Sequence, residues 1–224
     1  MFDYSKEKVG GSSVYLRTCG VHQGVIFKGL EYVATDSYEA FDLIFDVNGA
    51  IFKDRMFGTS LEKAFPKKIY ENNVVAGEET KEQAYHREMK ERYLKVASFV
   101  NLFAGEESVK AMSKFNTFKD LVDKANKELA SVDTTRPINI LTIWKNNDAK
   151  QTSNLILPSK GKFVELTEYN EEGKAISAKI QPTIWQQQNV MIEKYPYGAS
   201  NEASSSDSTI LNDINSVATD DLPF

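Results

Sequence analysis

Cysteine and histidine are scarce in this 224-residue chain. Cys19 is the single cysteine, so no disulfide can form within the chain, and a reducing, cytoplasmic setting is expected (the host cytoplasm, for a viral protein). His22 and His86 are the two histidines and stand far apart in sequence, which argues against a zinc site of His and Cys ligands. No metal or other cofactor is expected. Runs of 18 or more apolar residues are absent, so neither a membrane-spanning helix nor a membrane partner is expected. The opening residues, Met1 to Lys6, lack a basic stretch followed by an apolar one, and no secretory signal is expected. The chain also has no Gly-x-x-x-x-Gly-Lys-Ser/Thr phosphate loop and no Gly-x-Ser-x-Gly elbow. Asp46-Val47-Asn48-Gly49 resembles the start of a calcium loop, but the remaining spaced ligands are missing and a turn is the simpler reading. Asp148-Ala149-Lys150 resembles half of a metal-dependent nuclease site. Nothing selects the further acids that such a site needs, so a Mg²⁺-dependent nuclease ranks as a lesser alternative and no catalytic residue is assigned. No internal repeat is found.

Apolar residues make up 41% of the chain and aromatics 11%, enough to bury a sizeable core. The net charge of −5 is unevenly placed. From Ala199 onward the acids are Glu202, Asp207, Asp213, Asp220 and Asp221, with no Lys or Arg. Without those five the acids number 27, equal to the 27 Lys and Arg, so the body is formally neutral and can still carry a local basic groove.

Strand character runs from about Val14 to Phe57. Phe41, Leu43, Phe45 and Val47 alternate with Asp42, Ile44 and Asp46, and Asn48-Gly49 is a hairpin signal of the two-residue, positive-φ kind, with a return strand over Ala50–Phe57. From Gly77 the period changes. Tyr85, Met89, Tyr93, Val96, Val100 and Phe103 form one helical stripe that Gly105 stops. A short helix is placed at Glu106–Met112. Thr117 with Asp120 opens another, with a stripe of Phe118, Leu121, Val122, Ala125 and Leu129, ending before Pro137. Strands resume at Ile138–Trp144, Asn154–Leu157 and Lys162–Leu166. The polar stretch Lys145–Ser153 reads as a long, mobile loop, and Ile180–Tyr197 as a further extended segment.

The fold class is therefore mainly β with a helical insertion (α+β), an OB-fold-like barrel plus a disordered acidic tail. Residues 1–198 would form the barrel domain, with the insertion at about 77–134, and residues 199–224 the tail. Binding single strands without sequence preference needs cations for phosphates and open aromatic faces for bases. Lys53, Arg55 and Phe57 in one stretch, and Trp144, Lys145, Lys150, Lys160 and Lys162 in another, supply both, with Trp144 the preferred stacking residue. Lys63, Lys67, Lys68, Phe65 and Tyr70 extend the first stretch. Glu31, Asp36, Glu39, Asp42 and Asp46 make the first hairpin acidic, a face expected to point away from a strand.

At the other end stand Asp220-Asp221-Leu222-Pro223-Phe224. Two charges, an apolar contact, a stiffened backbone and an aromatic ring beside a carboxylate suit an apolar pocket rimmed by Lys or Arg. This segment resembles the acidic tip of bacterial and bacteriophage single-stranded DNA-binding proteins. The resemblance implies a body that coats single-stranded DNA in replication, recombination and repair, and a tip, Asp220 to Phe224, that recruits partner enzymes; it implies no enzymatic activity. The helical insertion, the Ser/Asn/Asp-rich linker and the short acidic run point to a bacteriophage-type member. A strand-annealing recombination protein is the alternative. Oligomeric state is not readable.

Overall fold

A computed structural model of the protein describes residues 14–195. The Asp220–Phe224 segment and the expected disordered tail lie outside the described residues.

The scaffold is a curled, half-barrel sheet. Strand β1 (Gly20–Ala34) is long and bent. Up to Val25 it pairs antiparallel with β6 (Ile138–Asn147), and from Ile26 it pairs antiparallel with β2 (Glu39–Val47). Register shifts at His22/Val25 and Phe27/Gly29 mark the bends, where Gly24 (φ 69°) and Gly29 (φ 134°) take backbone angles closed to most side chains. These irregularities let a single strand serve both halves of the sheet. β2 turns through Asn48 (φ 53°) and Gly49 (φ 87°) into β3 (Ala50–Phe57), the expected two-residue turn. β7 (Thr152–Ile156) pairs with the second half of β6, and β8 (Val164–Leu166) with its first half. The sheet order is β3-β2-β1-β6-β7, with β8 on β6.

Two features sit between β3 and β6. The first is a separate hairpin, β4 (Lys68–Glu71) and β5 (Val74–Glu78), beyond the elements expected from the sequence. The second is helical: α1 (Lys81–Ala104), α2 (Glu106–Met112) and α3 (Phe118–Ala130). Thr80 and Gln83 form a reciprocal capping box that starts α1, and Gly105 at φ 86° ends it. Thr117 caps α3 by accepting from Asp120 N, whereas the Asp120 carboxylate bonds Asn116 N, so the reciprocal half of the box is not made. The buried face of α1 is wider than the expected stripe: Lys95, Ala97 and Phe99 join Met89, Val96, Val100 and Phe103, while Tyr85 and Tyr93 are half-buried.

The core is aromatic. Phe99 of α1 lies 5.3 Å from Phe27 of β1 and 5.4 Å from Phe45 of β2, and Phe118 of α3 stacks on Phe41 at 5.2 Å. Each such ring, fully buried, stabilises by about 1.5–3 kcal/mol. The open side of the half-barrel is bridged by a buried charge. Lys95 Nζ donates to Asp54 Oδ2 on β3 at 2.8 Å and to the Leu157 carbonyl just beyond β7 at 2.8 Å.

Residues after β8 form a strap. Helix α4 (Ile184–Asn189), started by a Thr183/Gln186 capping box, replaces part of the extended segment expected over Ile180–Tyr197. Gln23 Nε2 donates to Ile176 O, Trp144 N to Val190 O, and Asn146 Nδ2 to Ile192 O, so the strap lies along β1 and β6. Among the described residues no helix is long and apolar enough to cross a membrane.

Removing one partner of a buried ion pair strands the other charge without water. Lys95→Ala is expected to lower the unfolding free energy by about 3–5 kcal/mol. The double change Lys95→Met/Asp54→Leu should cost less than the single. Urea denaturation of the three proteins measures both.

Candidate nucleic-acid interface

Period-two alternation along β3 sends Phe52 and Asp54 to the helix side and Lys53, Arg55 and Phe57 to the outer side. The register places Arg55 opposite Asp42, Lys53 opposite Ile44 and Phe57 opposite Ala40. Arg55 donates to both Asp42 oxygens at 2.7 Å, a bidentate pair in which Asp42 is fully buried. The acidic hairpin is thus partly neutralised: Lys28 lies 3.7 Å from Asp46, and the Tyr32 hydroxyl donates to Glu39 at 2.8 Å. Lys53 has no carboxylate partner among the described residues. Phe57 is half exposed and meets Tyr38, from the β1–β2 loop, edge-on at 5.3 Å. Tyr38 and Phe57 form an exposed aromatic pair at one end of the outer face. Tyr38 was missed in the sequence because its neighbours, Asp36, Ser37 and Glu39, are polar and acidic.

The second stretch folds differently from its expectation. Lys145–Ser153 is not a long, mobile loop. β6 runs on to Asn147, β7 begins at Thr152, and residues 148–151 make the turn, with Lys150 N donating to Asn147 Oδ1 and Gln151 at φ 49°. The polar residues form strands because the strap satisfies them: Asn146 bonds Ile192 O, and Ser153 Oγ accepts from Tyr195 N. Lys145 and Lys150 are exposed at the two ends of this tip, without a carboxylate partner among the described residues. Asp46 Oδ1 accepts from Gly49 N at 2.7 Å, which fits the turn reading of that motif.

The expected stacking residue is not available to a base. Trp144 is 4% exposed, packed in the core beside Leu155, and offers no open ring face to a base. Trp185, on α4, is 63% exposed. Burial of Trp144 follows from β6 register and from the strap crossing it, neither of which is local. The Thr183-x-x-Gln186 box was the available signal that Trp185 sits on a short polar helix.

Lys160 and Lys162 flank Gly161 on the approach to β8, and both are exposed. Lys162 is engaged: its ammonium lies 2.9 Å from Glu165 Oε2, an ion pair off the line of a hydrogen bond. Glu165 is buried, and its Oε1 accepts from Asn139 Nδ2, Lys179 N and Ile180 N at 3.2, 2.7 and 3.3 Å. Burial alone would raise this carboxyl; Lys162, Asn139 and the two amides outweigh it and hold the group down at about 2. Glu165 therefore fastens the strap to β8 and fixes Lys162 beside a cleft of about 440 Å³.

Of the eight sequence-chosen residues, the fold puts Lys53, Arg55 and Phe57 on one outer face and Lys145 and Lys150 on one hairpin tip. Lys53, Arg55 and Phe57 lie on β3, Lys145 on β6 and Lys150 in the β6–β7 turn, and β3 and β7 approach each other, bridged by Lys95. Lys160 and Lys162 stand apart, by the α1–β8 cleft. Asp148, the nuclease candidate, accepts from the Tyr195 hydroxyl at 2.8 Å and lies 3.9 Å from Lys194. Among the described residues no group of three or more His, Cys, Asp or Glu is gathered as a metal site. No protein-family model, curated protein or solved structure matches the chain.

The depressed Glu165 carboxyl has a signed consequence. A group whose folded value lies below its ordinary 4.5 contributes stability that is complete above that pH and is lost as pH falls toward about 2. Glu165→Gln is expected to destabilise by about 2 kcal/mol at neutral pH. The gap between the melting temperatures of parent and variant should close as pH is lowered through this window, and a gap constant with pH would contradict the assignment.

Proposed function

We propose that the protein binds single-stranded DNA on the outer face of an OB-like barrel. One observation carries this reading: the sheet order β3-β2-β1-β6-β7, with β3 and β7 drawn together and helices entering between the third and fourth sheet strands. Leaving β8 aside, this order is compatible with the circuit of a five-stranded OB barrel in partly open form. Such barrels take oligonucleotides on the face of strands two and three and on the loops joining strands one to two and four to five. In this chain those places hold Lys53, Arg55 and Phe57, then Tyr38, then Lys145 and Lys150.

The chemistry is binding. Unpartnered lysines displace counterions from phosphates, and aromatic faces stack bases with little regard for sequence. Of the exposed rings, Phe57, Tyr38 and Trp185 are assigned to stacking; Lys53, Lys145 and Lys150 are the charges. The Asp220–Phe224 segment would recruit replication, recombination or repair enzymes, as its resemblance to the single-stranded DNA-binding tip implies, and its acids would compete with DNA for the same lysines. A bacteriophage-type role in coating exposed strands fits both parts.

Titration with oligo-dT and with duplex of equal length, over a range of salt, tests the proposal. Tighter binding of oligo-dT and a log–log salt dependence are expected; equal affinity for both, or no binding at low salt, rejects it. Lys145→Ala/Lys150→Ala should flatten the salt slope by about 1.4, taking about 0.7 per lost phosphate contact. Phe57→Ala should cost about 1–3 kcal/mol. Removing Asp220–Phe224 should leave strand binding intact or strengthen it while abolishing partner recruitment.

A further inference from the structure

The β4–β5 hairpin is built with care and buries almost nothing. Its turn, Asn72 (φ 49°) and Asn73 (φ 64°), has both central residues at positive φ, the geometry that suits a two-residue hairpin. Its base is locked to α1. Lys67 N donates to Glu79 Oε2 and Glu79 N to Lys67 O, both at 2.9 Å, and Arg87 grips Glu79 and donates to the Phe65 carbonyl at 2.8 Å. Beyond that base all nine strand residues are exposed. Ile69, Tyr70, Val74 and Val75 are open to solvent, with Phe65 beside the base 73% exposed. A lone two-stranded hairpin is marginal in water, and a free strand edge is a template for another strand.

The composition favours a protein partner over a polyanion. Residues 67–79 carry Lys67 and Lys68 against Glu71, Glu78 and Glu79. The edge of β5 is interrupted, because the register slips between Ile69 and Tyr70 and leaves an extra residue on β5, whereas β4 is regular. Lys67 spends its carbonyl on Glu79 inside the hairpin. By the alternation of antiparallel pairing Ile69 and Glu71 also turn inward, and Lys68 and Tyr70 present their backbone groups outward.

We infer that this arm pairs with the same arm of a second copy of the chain, β4 against β4, about a two-fold axis through Ile69. The alternation allows β4 to meet itself antiparallel only with an axis on a residue. With the axis at Ile69, Lys67 faces the partner's Glu71, Lys68 faces the partner's Tyr70, and Ile69 faces the partner's Ile69. Every pair is favourable: an ion pair, a cation over an aromatic ring, and an apolar contact. Moving the axis to Tyr70 sets Ile69 against the partner's Glu71 and Lys68 against the partner's Asn72, and the complementarity is lost. A self-complementary patch on a two-fold axis is what a symmetric dimer requires. The product is a four-stranded sheet, β5-β4-β4-β5, independent of the strand-binding reading.

Sedimentation velocity on the full chain should report a species of twice the 25.2 kDa protomer mass at raised concentration. Lys67→Glu and Glu71→Lys should each raise the dimer dissociation constant about tenfold or more by opposing like charges twice across the axis. Mixing the two variants should restore a heterodimer, because each then supplies the charge that the other lacks. In a Cys19→Ser background, Ile69→Cys should crosslink efficiently under mild oxidation, since facing residues of a non-hydrogen-bonded pair lie about 4.5 Å apart. Val74→Cys, more exposed than Ile69 but off the axis, should not. A chain that is monomeric at all concentrations overturns the inference, as do variants that dimerise like the parent, no recovery on mixing, or equal crosslinking at both cysteines. A monomer whose affinity for oligo-dT falls on Tyr70→Ala also overturns it, and would reassign the arm to nucleic acid.

Discussion

A single ammonium group holds the open side of this half-barrel. Lys95 reaches from α1 into the gap between β3 and the end of β7, and its donors are divided between the Asp54 carboxylate and the Leu157 carbonyl. A curled sheet whose first and last strands do not form a ladder leaves backbone groups that need partners where water is excluded. One lysine supplies a donor to each side and so ties the insertion to the scaffold. The geometry also explains why so long an insertion is tolerated: α1 is part of the closure as well as of the core.

The bend of β1 is the companion constraint. Gly24 and Gly29 accept angles that let one strand leave the β6 half and enter the β2 half. Curl follows from that strand, and curl is what gives the sheet an inner and an outer face. The inner face took the phenylalanines and the helices. On the outer face charge pairing was resolved locally, Arg55 on Asp42 and Lys28 near Asp46, and by the α1–β8 cleft Lys162 pairs with Glu165. Lys53, Lys145 and Lys150 are left without a carboxylate partner among the described residues, and the rings of Phe57, Tyr38 and Trp185 are exposed; the proposed function draws on these six.

Much of this was readable without coordinates where the signal is local. Asn48-Gly49 identifies its turn because two successive positive φ angles suit those residues, and β3 then occupies Ala50–Phe57 as expected. The Glu106–Met112 helix and the Thr117 cap were likewise legible from capping chemistry and from a 3.6-residue period. The β4–β5 hairpin was missed although Asn72-Asn73 carries the same turn signal, because four-residue strands show too little alternation to register. Lys95 and Phe99 were missed on α1 because a helix buried beneath a curled sheet hides more than one stripe. Lys145–Ser153 reads as a loop because polar, turn-forming residues do; it forms strands because the strap brings Ile192 and Tyr195 to satisfy them.

The sequence by itself determined the first long hairpin, the three helices that follow it, the neutral body with its acidic end, and the candidate lysines, since all of these depend on composition and on spacing within a few turns of chain. Tertiary structure decided which of those residues face water. Trp144 and Trp185 do not differ as isolated side chains; strand register and the strap that brings Val190 onto Trp144 bury one, and the short helix α4 leaves the other exposed. Arg55 meets a carboxylate across the ladder, Asp42, and is engaged, whereas Lys53 meets Ile44. Burial and pairing are properties of contacts between distant segments, and it is these that convert a list of basic and aromatic residues into a surface.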